Sequence, residues 1–118
     1  MLNWNQYEFI ECLGIMPEVD EYETYSFQVS KHGLRMELSV VEYSGDVYIS
    51  LYREGLEGTI FNLWLKNCPA ARYIAYKNGA EYLEFSPSES FGKSIDGESP
   101  APFSVHVAVN PHISIEVF

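Results

Sequence analysis

The residues of this 118-residue chain that could do chemistry are three histidines, two cysteines and several closely spaced carboxylates. His32, His106 and His112 lack the short, regular spacing to one another or to cysteines that a zinc centre uses. The sequence therefore implies no metal and no cofactor. Cys12 and Cys68 belong to no Cys-x-x-Cys pattern and are expected as two separate buried thiols, a disulfide being the alternative. No Gly-x-Ser-x-Gly elbow is present, and Ser90-Phe91-Gly92 lacks the strand and helix that would flank a nucleophile. Gly55 and Gly58 precede neither a helix nor a lysine, so they do not make a phosphate cradle. The pairs Glu81 with Glu84 and Asp96 with Glu98 could move protons only if burial shifted their ionisation. On pattern alone they read as a solvated face, and no catalytic residue is assigned.

Seventeen Asp and Glu against seven Lys and Arg give a net charge of −10. Phosphates require a basic face, so nucleic acid and anionic membrane are poor partners, whereas a basic protein is a good one. The carboxylates expected to meet it are the cluster Glu18, Asp20, Glu21 and Glu23, then Glu54 and Glu57 in a turn, and Glu89, Asp96 and Glu98 in a long loop.

The elements that must position these groups follow from periodicity. Trp4, Tyr7, Ile10 and Glu11, with Phe9 and Leu13 one step round, have helical spacing, which predicts a helix over 3–13. Asn3 or Asn5 can cap its start and Gly14 can end it. Its apolar stripe is expected to pack on the strands that follow. The Pro-interrupted acidic run 15–21 reads as a linker. From 22 to 66 the chain reads as a four-strand antiparallel meander. Leu34, Met36, Leu38 and Val40 alternate with polar residues, Val47, Ile49 and Leu51 continue the same buried face, and Gly33 and Gly45 supply the turns. Residues 72–85 read as a hairpin across Asn78-Gly79, with a short helix as the competing assignment. A Ser/Pro-rich loop covers 86–102, and a last hairpin spans 103–117, with His106 on its polar side.

The second face of the meander, carrying Tyr43, Tyr48, Tyr52 and Trp64, is too aromatic for plain solvent surface. Either the helix or the C-terminal hairpin covers it, or it is a recognition platform rimmed by Arg35, Glu37, Asn62 and Arg53.

Length allows one domain over 1–118 with a real core. The expected class is α+β, predominantly antiparallel β: about eight strands as a two-sheet sandwich or partly open barrel with one N-terminal helix. No apolar run is long enough to span a membrane and no basic leader precedes one, so a cytoplasmic location is expected. The expected function is non-catalytic binding of a basic protein partner. An immunity-type inhibitor of a basic bacterial toxin is one concrete form. The alternative is a small-molecule-binding barrel or sandwich, with or without hydrolytic activity, whose tyrosines and Trp64 line a cavity. A homo-oligomer would result if the aromatic face met its own copy.

Overall fold

The computed structural model describes residues 1–86 and 103–118. Within them the chain forms one helix, α1 (Gln6–Leu13), and nine strands: β1 (Glu18–Val19), β2 (Thr24–Lys31), β3 (Leu34–Val41), β4 (Asp46–Arg53), β5 (Phe61–Leu65), β6 (Ala70–Ala75), β7 (Glu81–Ser86), β8 (Val105–Ala108) and β9 (Ser114–Val117). Two antiparallel sheets result, ordered β1-β2-β3-β4-β5 and β6-β7-β8-β9, each strand beside its neighbour in sequence. The architecture is the two-sheet form of the expected class; neither sheet closes into a barrel.

The period-two alternation decides which face is buried. Phe27, Met36, Leu38, Val40, Val47 and Ile49 from the first sheet share one core with Leu83, Phe85, Val105 and Val107 from the second. Leu34 and Leu51, at the far end of the meander, are only partly buried at its margin. The Asn78-Gly79 turn joins β6 to β7 in register from Ala70↔Ser86 to Ala75↔Glu81, so the hairpin rather than the short helix forms.

Four expectations need correction. The helix starts at Gln6, because Asn5 takes the capping position with its side chain accepting from the Tyr7 amide; Gly14 ends it at φ 72°. Asn3, outside the helix, instead bridges Ala70 in parallel. The helix packs on β6 and β7 rather than on the meander. It reaches the first sheet through Phe9, whose ring lies 6.0 Å from Phe27 and 5.7 Å from Phe85. The supposed linker contains β1, where Glu18 pairs with Ser26 and Val19 with Tyr25, raising the strand count to nine. A two-residue edge strand is too short to show periodicity, and its brevity limits edge-to-edge pairing. Of the loop expected over 86–102, Ser86 ends β7; the remainder lies outside the described residues.

Hydrogen bonds stitch the two sheets at both ends. The Leu2 amide donates to the Glu42 carbonyl (2.8 Å), the Asn3 amide to Pro69 (2.9 Å) and the Ala71 amide to Asn3 (3.0 Å). At the opposite end of β2, Lys31 Nζ donates to the Val109 carbonyl (3.0 Å) and to Asn110 Oδ1 (2.6 Å). The turn between β3 and β4 is tied down as well: Cys68 N donates to the Gly45 carbonyl at 2.9 Å.

Candidate functional site

The outer face of the five-stranded sheet is built by the residues that alternate with the core. Register places Glu18, Ser26, Ser39, Tyr48 and Trp64 in one line across all five strands. The next line holds Gln28, Glu37, Ser50 and Asn62. Because α1 lies against β6 and β7, it does not cover this face: Tyr48 is 39% and Trp64 51% exposed. Their rings stack with centroids 5.4 Å apart and planes inclined by 21°. Lys66 Nζ sits 4.2 Å from the Trp64 ring centre, within cation–π range.

The other two aromatics of the expected platform stand apart. Tyr52 lies four residues further along β4, roughly 13 Å from Tyr48 at strand rise, with the Arg35 guanidinium 4.2 Å above its ring. Tyr43 occupies the turn after β3 and is 79% exposed. Arg35 also approaches Glu37 at 3.5 Å. None of these rings lines the interior of a barrel, since there is none; Tyr52 borders a shallow hollow of about 270 Å³ with Arg53 and Glu54.

The acidic candidates fall into separate groups. Glu18, Asp20, Glu21 and Glu23 are exposed together at the β1–β2 corner. Asp20 is committed to that turn, its Oδ1 accepting from the Tyr22 and Thr24 amides, each at 2.9 Å. Glu54 and Glu57 follow the end of β4. Glu54 stands six residues beyond Tyr48, roughly 20 Å along the strand direction. Glu89, Asp96 and Glu98 lie outside the described residues.

The outer face of the second sheet holds a charge cluster that pattern reading placed in solvent. Glu84 is fully buried, not solvated. Its Oε1 accepts from Arg72 Nε and Nη2, both at 2.7 Å, and its Oε2 meets His106 Nε2 at 2.6 Å. The three residues are consecutive partners across β6, β7 and β8. His106 lies on the side of β8 opposite Val105 and Val107, yet is only 7% exposed. The Tyr82 ring stacks on it at 4.2 Å and Phe118 packs at 4.5 Å. Burial, then the hydrogen bond to Tyr76, pushes the Tyr82 hydroxyl well above the usual phenol range. A buried carboxylate held by a guanidinium and an imidazole is positioned, so the arrangement braces three strands.

Both cysteines are buried and unbridged. Burial foremost, with nearby carboxylates, pushes the Cys12 thiol up to about 12 and the Cys68 thiol up to about 11. Tyr73 donates to Glu81, and that bond with burial pushes its hydroxyl up to about 12. Among the described residues no three His, Cys, Asp or Glu side chains gather in a way that could hold a metal ion. No helix among them is long and apolar enough to cross a membrane.

No family model matches the sequence, and no curated protein matches it. The fold is similar to that of a chain in the solved contact-dependent growth inhibition toxin–immunity protein complex from Klebsiella pneumoniae 342. The TM-score is 0.76, the likeness covers 98% of this chain and 95% of that one, and sequence identity is 11%. At that identity the likeness is one of fold.

Proposed function

We propose that this chain is a non-catalytic protein-binding domain, an immunity-type inhibitor that neutralises a basic protein toxin. The observation that carries the reading is the fold: a helix and two open antiparallel sheets, matched nearly end to end in a toxin–immunity complex. The charge of −10 supports the inhibitor's side of such a pair, since an acidic surface complements a basic toxin and speeds their encounter. Glu18, Glu21 and Glu23 supply that charge at one corner of the molecule, and Glu54 and Glu57 at another.

Co-expression tests the proposal. The chain is produced in a bacterium together with the product of the gene adjoining its own, and growth and co-purification are followed. The expected result is restored growth and a stable complex whose association slows as salt rises. Growth arrest despite abundant folded chain, with no complex at micromolar concentrations, would refute the reading.

A further inference from the structure

We infer that the outer face of the five-stranded sheet is where the basic partner docks, with an apolar anchor on the Tyr48–Trp64 stack and an arginine side chain in a cleft at the β1 edge. The inference rests on the proposed function and assigns its contact surface.

The cleft holds about 320 Å³ and lies where Ile15 and Met16 approach the outer face of β2 and β3. Ser26, Gln28 and Ser39 line it together with the carboxylates Glu18 and Glu37. A guanidinium fits this chemistry. It is planar, bears five donors and prefers carboxylate acceptors, while its stem covers apolar surface such as that of Ile15 and Met16. The internal partner of Glu37 does not block it, because the Arg35–Glu37 contact is 3.5 Å long and both side chains are about 40% exposed. Exposed pairs of that kind contribute little and exchange readily.

The stack complements the cleft. Tyr and Trp are the residues interfaces use as anchors, and here two lie flat against each other on an open sheet. The cleft straddles β2 and β3 and the stack straddles β4 and β5. At a strand spacing of about 4.8 Å their centres are roughly 10 Å apart, well inside one ordinary protein interface. Charge selects the occupant of the cleft: it is lined by Glu18 and Glu37 on a chain of net charge −10, which attracts a cationic partner, while the bases of this face, Arg35 and Lys66, lie over Tyr52 and Trp64 outside the cleft.

The test measures calorimetric affinity for the product of the gene adjoining this chain's own, used as the toxin domain. Trp64→Ala, Tyr48→Ala and Glu37→Gln are each compared with Glu116→Gln on β9 of the other sheet. All four positions are on the surface, and unchanged melting curves verify folding. The expected result is at least a tenfold loss for each of the first three and less than a twofold change for Glu116→Gln. Amide exchange in the complex is expected to slow across β3 to β5 for the wild-type chain. If the wild-type chain binds but the three variants bind equally well and β3 to β5 gain no protection, the docking face is wrong while the proposed function stands. If the wild-type chain does not bind the toxin domain, both fail. Dimerisation of the free chain that Trp64→Ala abolishes would assign the face to a second copy and overturn the inference.

Discussion

Replacing Phe9 by alanine tests whether one ring couples the helix to both sheets. Phe9 is 1% exposed and packs against Trp4 at 4.7 Å, Phe85 at 5.7 Å and Phe27 at 6.0 Å. A buried Phe→Ala change costs about 3–5 kcal/mol, and each lost ring pair contributes about 0.5–1.5 kcal/mol beyond its area, which places this site toward the upper end. A domain of this size has a total stability of about 5–15 kcal/mol, so the variant loses a large share. An eight-residue helix is marginal alone, which means the lost ring also loosens Cys12 and Leu13. With about 4 °C per kcal/mol for a domain of this length, the melting temperature should fall by about 12–20 °C. Urea denaturation followed by far-ultraviolet circular dichroism measures the change. Tyr7→Ala, on the same helix but 72% exposed, should shift stability by less than about 0.5 kcal/mol. A Phe9→Ala loss below about 1 kcal/mol, or one equal to that of Tyr7→Ala, would refute the coupling role.

Gly45→Ala should destabilise more than Gly55→Ala. Both have positive φ, 79° and 83°, but an added Cβ at Gly45 would stand 2.3 Å from the Cys68 carbonyl oxygen, whereas at Gly55 it meets nothing within 4 Å. The φ cost is about 1–2 kcal/mol in each, so the difference between their unfolding free energies isolates the backbone clash. Glu84→Gln should cost about 3 kcal/mol, because Arg72 and His106 keep their positions while losing the buried charge between them; the exposed Glu116→Gln should cost less than about 0.5 kcal/mol in the same melts. The thiols make the fold labile to alkali. Unfolded cysteines release protons above about pH 8.5, while folded Cys68 and Cys12 hold theirs to about 11 and 12. The unfolded chain thus binds fewer protons in that window, and stability should fall from about pH 9 upward. Cys12→Ser/Cys68→Ser melts across that range should flatten the slope.

The meander was legible because its side chains alternate strictly and its turns carry glycine where φ is positive; Asn78-Gly79 identified the β6–β7 hairpin on the same grounds. Glu84 was not legible. A carboxylate at an outward position in a strand looks solvated until register supplies Arg72 on one side and His106 on the other, and those partners lie 12 and 22 residues away. The fate of the aromatic face was equally hidden. Whether Tyr48 and Trp64 lie beneath the helix depends on where Phe9 docks, and one apolar stripe fits either sheet. Only the joint fit of Phe9 to Phe27 and Phe85 settles it. β1 escaped detection because two residues carry no period.

The strictly sequential strand order has a kinetic consequence. Each sheet is assembled from strands adjacent in sequence without a crossover, and every loop closed within the five-stranded sheet is short and its entropic cost modest. The longest closures are the ones that join the sheets: Lys31 to Asn110, 79 residues apart, and Asn3 to Ala70. A transition state can therefore form within one meander and leave the inter-sheet clasps for later. Removing Lys31 should then accelerate unfolding while leaving the folding rate nearly unchanged.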